Sequence, residues 1–335
     1  MIHRRQLLAL TAGLAGGAAF GLPGRPALAQ LTGKFAEELQ NGEYNWFPER
    51  SETGPVLIIV SIPDQLCHVY RNGVRIAAST CSTGKKGHGT PTGVFTILQK
   101  DKNHRSSTYN NAPMPNMNRL TWSGIALHAG QLPGYPASHG CVRLPLAFSD
   151  MLFGITRLGM TVVIADDSAF PASVAHPGMV LGQYARDEFR AVDAALLRQA
   201  YAEGHDDKPK STAIVVSSKS KTARVLQNGR EIARGSVEIK DPGKPIGNGV
   251  YTLAEKDSEA GQLKWLTTAY TGGSDSILAA PETIQRIAVD PALLEKARQN
   301  MQMGMALVTT DEADTAKTRT ASDFVVLRGQ DKGQG

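Results

Sequence analysis

Two stretches hold residue types that could attack a carbonyl: Ser138-His139-Gly140-Cys141-Val142-Arg143-Leu144 and, upstream, Ile125-Ala126-Leu127-His128-Ala129. A cysteine attacks as thiolate, and a free thiol with a pKa of about 8.5 is mostly protonated near neutrality. A histidine within hydrogen-bond reach can take that proton and later return it to a leaving amine. His128, near the end of an apolar strand pattern, is the fixed base this requires. Gly140 lets the backbone come close to a substrate, so the Gly140 and Cys141 amides are expected to face a developing oxyanion. His139 divides evenly between structural hydrogen bonding and a direct catalytic part. Arg143 can grip a substrate carboxylate bidentately, or pair with an acid to hold the loop. Ser138 reads as a local turn-former. A cysteine after a glycine is ordinarily a small buried hydrophobe, and only the whole block makes Cys141 a nucleophile.

Other candidates fall away. His68, His88, His104, His176 and His205 read as surface or packing residues. Gly84-Lys85-Lys86-Gly87-His88-Gly89 resembles a phosphate loop, but lacks the strand–loop–helix context and the final Lys-Ser/Thr. No CxxC or Cys/His spacing of the zinc type occurs, so neither metal nor cofactor is expected. Cys67 and Cys81 invite a disulfide. If Asn72-Gly73 is a two-residue turn, Cys67 faces Ala78, and Cys81 then points to the opposite face of the sheet. A bulge would undo that argument.

The elements that must position these residues are mostly strands. Val56 to Ser61 is an apolar, β-branched run; Gln65 to Tyr70 and Val74 to Thr80 flank the Asn-Gly turn as a hairpin. Gly93 to Gln99, Gly124 to His128 and Thr161 to Ala165 follow as strands. Leu144, Phe148, Leu152 and Ile155 recur at helical spacing, with Pro145 at the first turn and Gly159 past the end. Tyr184 to Ala202 reads as a second helical stretch, with Phe189, Val192 and Leu196 on one face.

The N-terminus has the form of an export signal. His3-Arg4-Arg5 precedes an apolar stretch from Leu7 to Phe20, and Ala27-Leu28-Ala29 supplies a small-x-small cleavage pattern. The stretch is too short to span a bilayer well. Arg4-Arg5 suits the twin-arginine route, and a general secretory signal looks much the same. Net charge is +5 over 335 residues, and the first 29 contribute Arg4, Arg5 and Arg25 with no acid. The near balance that remains argues against a nucleic-acid partner.

A repeat is visible further on. Val60, Ser61, Val69, Asn72, Gly73, Ile76, Gly87, Gly93, Val94 and Thr96 recur without a gap as Val216, Ser217, Val225, Asn228, Gly229, Ile232, Gly243, Gly249, Val250 and Thr252. Matches kept in register over this length favour a duplicated fold. Gly304-Met305-Ala306-Leu307 is expected to repeat Gly124-Ile125-Ala126-Leu127, with Val308 in place of His128, and Phe324 to Leu327 to repeat Thr161 to Ile164. Thr315, Thr318 and Thr320 have no histidine or activated lysine beside them and are not read as nucleophiles. Lys219, Lys221, Lys240 and Lys244 are candidate carboxylate contacts, against the default of a solvated basic face.

With these residues in view, Pro55 to Asp166 resembles the L,D-transpeptidase (YkuD) catalytic domain. The likeness rests on Ser138 to Arg143, the strand histidine His128, and Thr90-Pro91-Thr92-Gly93-Val94-Phe95. It implies a mostly β fold: an L,D-transpeptidase-like β-sandwich with a short helix after the catalytic cysteine, followed by a degenerate second copy. The implied divisions are a signal peptide (1–29), a leader (30–53), the catalytic domain (54–168), a helical linker (169–210) and the degenerate copy without catalytic residues (211–329). Cys141 is then nucleophile and His128 base, with a backbone carbonyl just after His128 orienting the ring. Gly140, His139 and Ser138 support the oxyanion site and its loop, and Arg143 binds substrate. The implied substrate is the tetrapeptide stem of peptidoglycan, acylating Cys141 with loss of the terminal D-alanine. An amine acceptor then forms a crosslink between third-position residues, or a protein is anchored to the wall. The alternative on the same fold is a hydrolase, an L,D-carboxypeptidase or amidase; a third reading is a wall-binding protein without catalysis. The implied location is the periplasm or cell envelope, without a membrane span after signal cleavage. Only nine residues separate His128 from Ser138, fewer than is common in the family, which bears on the shape of the flap over the site.

Overall fold

The computed structural model describes residues 30–31, 34–166, 170–177, 210–257, 262–269 and 280–320. The export segment, the Tyr184–Ala202 stretch and Phe324–Leu327 lie outside them. None of the helices among the described residues is long and apolar enough to cross a membrane.

The first domain has two sheets. β1 (Gln30–Leu31), β2 (Glu43–Trp46), β3 (Val56–Ser61), β4 (Leu66–Arg71), β5 (Val74–Thr80), β6 (Gly93–Thr96) and β11 (Thr161–Ala165) form the larger, in the order β1-β2-β5-β4-β3-β11-β6. The leader therefore adds strands to one edge. The smaller sheet holds β7 (Gln99–Asp101), β8 (Met117–Arg119), β9 (Ala126–Ala129) and β10 (Val142–Leu144) in the order β10-β9-β8-β7. The run expected as one strand from Gly93 to Gln99 divides, because the chain passes from one sheet to the other at Ile97-Leu98. Helix α1 (Leu146–Ile155) starts behind Pro145 as the spacing predicts and buries Phe148 and Leu152 in the core between the sheets.

β3 is buried along its whole length because both its faces are covered. Ile58 and Val60 face the first domain's own core, while Leu57 and Ile59 face the second domain. The Asn72-Gly73 turn has both residues at positive φ, 50° and 77°, as a two-residue hairpin of this type demands. A bulge at Val69/Tyr70 then shifts the register, so that Cys67 pairs with Ser79. Cys81, two residues beyond Ser79, lies on the same face as Cys67, and both are free thiols in one core cluster. The expectation of opposite faces fails through the extra residue.

The second domain is an eight-stranded sheet. Its strands are β12 (Phe170–Pro177), β13 (Thr212–Ser217), β14 (Thr222–Gln227), β15 (Arg230–Ile239), β16 (Gly249–Asp257), β17 (Gln262–Ala269), β18 (Ile287–Val289) and β19 (Ala306–Thr310), in the order β12-β17-β16-β19-β13-β14-β15-β18. The segment expected as a helical linker thus begins with a strand that pairs with β17. Within this sheet β15-β14-β13-β19-β16 repeats β5-β4-β3-β11-β6. In the first domain Thr161 pairs with Leu57 and with Thr96; in the second, Ala306 pairs with Ala213 and with Thr252. β19 is therefore the counterpart of β11, and Val308 stands where Val163 stands. The expectation that Gly304–Leu307 repeats Gly124–Leu127 fails, because similarity of letters pointed to the wrong strand and pairing partners identify the right one. Helix α2 (Ala280–Gln285) precedes β18. Helix α3 (Pro291–Gln299), capped by Asp290, precedes β19 as α1 precedes β11, and buries Leu293 and Ala297 where α1 buries Phe148 and Leu152.

The two large sheets pack face to face through equivalent positions. Leu57, Ile59, Tyr70, Val94 and Val163 meet Ala213, Val215, Leu226, Val250 and Val308 in one apolar cluster. The contacts are reciprocal at the rim too. Gly159 approaches Asn228 so closely that a Cβ would overlap its backbone, and Gly304 approaches Asn72 and Pro55 in the same way. Equivalent residues exchanging equivalent contacts describe a pseudo-twofold interface, the arrangement of a symmetric dimer within one chain.

One buried polar residue is at odds with this packing. His68 on β4 is fully buried, and neither ring nitrogen has a hydrogen-bond partner among the described residues. Burial pushes its pKa down to about 4, with nearby Arg75 acting the same way. The unfolded chain takes up a proton near 6.5 and the folded one resists, so stability should fall as pH drops from about 6.5 toward 4. His68→Leu should remove on the order of 1–3 kcal/mol of that acid sensitivity. Urea unfolding at pH 7.5 and pH 5 measures it, and equal pH dependence in both proteins would refute it.

Candidate active site

Strand alternation and one parallel pairing assemble the site. β10 runs parallel to β9 with Val142 beside Leu127 and Arg143 beside His128. Leu127, Val142 and Leu144 point into the core between the sheets. The residues between them point the other way, so Ala126, His128, Cys141 and Arg143 share the outer face. Cys141 is half-buried against Met114, Met117 and Ala126. A cleft of about 510 Å3 opens over this face, lined by Tyr109, Met114, His128, His139, Cys141 and Arg143 among others.

His128 is buried, and its Nδ1 lies 2.7 Å from the carbonyl oxygen of Ala129. A carbonyl only accepts, so Nδ1 carries the proton and Nε2 keeps its lone pair. The orienting group is the backbone carbonyl expected from the sequence. Burial lowers the His128 pKa to about 4 against the pull of the Ala129 bond, with Arg143 and His104 lowering it further. The ring is thus neutral at physiological pH. Burial also raises the Cys141 thiol, while the Ala126 backbone bond and the charges of Arg119 and Arg143 work against that rise. Cys141 Sγ donates to Gly124 O at 3.2 Å and not to His128. The resting pair is a neutral thiol and a neutral imidazole.

Ser138 ties the loop: its Oγ donates to Cys141 O at 2.5 Å and accepts from Gly140 N at 3.1 Å. That bond holds the Gly140 amide within the loop. Its positive φ of 110°, with Ile125 against it, explains why glycine is required there. The Cys141 amide has no acceptor among the described residues and remains the available donor. Arg143 exchanges backbone hydrogen bonds with Ser82 and lays its stem over Gly130. Its guanidinium has no ion-pair partner among the described residues, so the loop-holding ion pair is not formed. His139 is exposed, its ring between those of Tyr109 and His88, each 4.8 Å away. Among the described residues no group of three His, Cys, Asp or Glu could hold a metal.

The flap is the excursion between β7 and β8, not the short segment after His128. Ser106 N to Ala112 O and Met114 N to His104 O, both 2.9 Å, zip its arms, and Tyr109 reaches His139 from it. The segment from Leu132 to Ser138 is instead pinned by Asn41, Ser82 and Thr83. Sequence reading missed β7, β8 and β10, whose three residues each leave too little periodicity to find.

The second domain places Arg286 at the position of Cys141. Glu238 pairs with Ala288 as Ser82 pairs with Arg143, which puts Arg286 immediately before β18 where Cys141 precedes β10. Its guanidinium donates to the carbonyls of Lys240, Asp241, Lys244 and Pro245. That loop is the counterpart of Gly84–Gly89, with the same turn: His88 N to Lys85 O and Lys244 N to Asp241 O, both 2.9 Å. At this place the second domain has a guanidinium clamp where the first has a thiol.

Residues 55–164 match the family model YkuD, the L,D-transpeptidase catalytic domain, and this domain is identified as one. No curated protein matches the chain. Among solved structures, an L,D-transpeptidase from Mycobacterium tuberculosis H37Rv is similar at 21% identity and TM-score 0.32, over 33% of this chain and 57% of that one. One from Stackebrandtia nassauensis is similar at 27% and 0.31, over 34% and 56%. L,D-transpeptidase 3 from M. tuberculosis in complex with a faropenem-derived adduct is similar at 20% and 0.31, over 32% and 59%. The chain thus spans less than two thirds of the length of each of these proteins.

Two outcomes follow from the site. Acylation of Cys141 should keep its base down to about pH 4–5, since His128 protonates near 4, and His128→Gln should slow it about 10²–10⁴-fold; a pH–rate profile with an acid limb near 6.5 would contradict the burial argument. Arg286→Ala should lower stability by roughly 1–3 kcal/mol through four lost carbonyl bonds while leaving Cys141 acylation unchanged, read by thermal unfolding beside single-turnover kinetics.

Proposed function

We propose that the protein is an exported L,D-transpeptidase that acts on peptidoglycan tetrapeptide stems in the periplasm or cell envelope. The observation that supports this reading is that Cys141 and His128 line one face of the same cleft, with His128 held neutral and in one tautomer by Ala129 O. The thiol turns from Gly124 O toward His128 Nε2 and gives up its proton. Sγ then bonds to the carbonyl carbon of the third residue, and the C–N bond to the terminal D-alanine breaks. The imidazolium returns its proton to the leaving amine. The Cys141 amide supports the oxyanion, and the unpaired Arg143 guanidinium suits a stem carboxylate. In the second half an acceptor amine bonds to the thioester carbonyl carbon, C–S breaks, and the amine's proton passes through His128 to the departing Sγ. The acceptor is the third-position amine of another stem, which forms a crosslink, or an amine on a protein to be anchored to the wall.

Incubating the full-length protein with tetrapeptide muropeptides and weighing the products tests the reading. Dimers with loss of D-alanine are expected; trimmed monomers alone would mean that water is the acceptor and the protein is an L,D-carboxypeptidase or amidase. No product at all would leave a wall-binding protein. A carbapenem should form one covalent adduct on Cys141, because its strained carbonyl suits a thiolate. The adduct should vanish in Cys141→Ala, and an adduct on Cys67 or Cys81 would sink the assignment.

A further inference from the structure

The second domain reaches the active site through its C-terminal segment. After β19, residues 311–320 leave the second sheet and lie along the outer side of β6, the edge strand of the first. Val94 N donates to Thr318 O at 3.0 Å, and Arg319 bridges Val94 in parallel. The strap is fastened on its own side by Arg224 and Arg319, whose guanidiniums lie 3.1 and 3.2 Å from Asp314, and by Thr92 Oγ1, which donates to the Glu312 carboxylate at 3.0 Å.

Its last described residue bridges the two sheets of the catalytic domain. Thr320 Oγ1 accepts from Thr96 N on β6 and donates to Leu120 O just past β8, both at 3.0 Å. Leu120 opens the turn that leads into β9: Leu120 N donates to Ile125 O at 2.8 Å, and Ile125 N to Thr121 Oγ1 at 3.1 Å. Gly124, inside that turn, supplies the carbonyl that accepts a hydrogen bond from the Cys141 thiol. Ile125 also lies against Gly140. The far wall of the nucleophile's site is thus an exposed turn whose base is held by a hydroxyl from the other domain.

We propose that Thr320 is a positioning residue of the active site: delivered by the second domain, it anchors the Leu120–Ile125 turn and so sets the Gly124 carbonyl against the Cys141 thiol. This gives the second domain a function that its filled Arg286 site cannot, since the strap completes the first domain's site. The inference rests on Cys141 being the nucleophile, but not on the identity of the donor or acceptor.

The test reads the thiol itself. The rate of Cys141 alkylation by iodoacetamide is followed against pH in the full-length protein, for wild type, Thr320→Val and Thr320→Ser. Arg119, Arg143, His128 and His139 face the thiol from β8, β10, β9 and the preceding loop, and none of them is altered. Losing the anchor weakens the bond that holds the thiol protonated. The alkylation midpoint in Thr320→Val should therefore move to lower pH, with about three- to tenfold faster alkylation below it. Carbapenem acylation of the same protein should slow several-fold, because a misplaced thiol meets the carbonyl less often. Thr320→Ser keeps the hydroxyl and should match wild type in both. An unchanged alkylation profile in folded Thr320→Val overturns the proposal. If that variant does not fold, Thr92→Val loosens the strap through Glu312 and carries the same reading. Alkylation that shifts while muropeptides are left untouched would sustain the positioning role and count against the transpeptidase reading alone.

Discussion

Cys141 and Arg143 lie beside Ala126 and His128 because two short strands run in the same direction with Val142 level with Leu127. A slip of one residue would turn the nucleophile into the core and Val142 into the cleft. That register is guarded on both sides. Leu127, Val142 and Leu144 are buried between the sheets, and Arg143 exchanges backbone bonds with Ser82 across the other edge of β10. α1 follows at once and buries Phe148 and Leu152, so the chain cannot shift without emptying the core.

The same burial sets the chemistry. An imidazole with its Nδ1 proton fixed on Ala129 O is neutral, rigid and ready to accept, and low exposure keeps it so. The cost falls on the thiol, which burial also holds neutral. Burial thus favours the uncharged form of both groups. Arg119 and Arg143 offset part of the thiol's penalty from outside the bond-making line.

The chain carries a symmetric dimer's interface between unequal halves. Equivalent apolar positions from both sheets face each other, which is why β3 and β13 are apolar on both faces and read as uninterrupted runs. The second half keeps the turn of the Gly84–Gly89 loop and sets Arg286 at the place of Cys141, its guanidinium held by four backbone carbonyls. The second half shares the strand order and the packing face of the first.

Much of this was legible in the order of residues. The Ser138–Arg143 block and His128 pointed to residues that line one face of the cleft, Asn72-Gly73 to a hairpin, and the recurrence from Val60 onward to a second sheet with the same strand order, because each depends on local spacing. Whatever depends on partners far along the chain was not legible. The bulge at Val69/Tyr70 put Cys81 on the face that a regular hairpin denies it. Gly304–Leu307 looked like the histidine strand and belongs beside β13, a choice made by pairing and not by letters. The Gly140 amide donates to Ser138, and among the described residues the Arg143 guanidinium pairs with no acid. Thr320 carried no signal at all, since a lone threonine acquires meaning only when it is folded against Leu120, 200 residues away in the chain. Local propensity and side-chain periodicity are written into neighbours, whereas register, burial and hydrogen-bond ownership are settled only when distant segments compete for the same donors, acceptors and space.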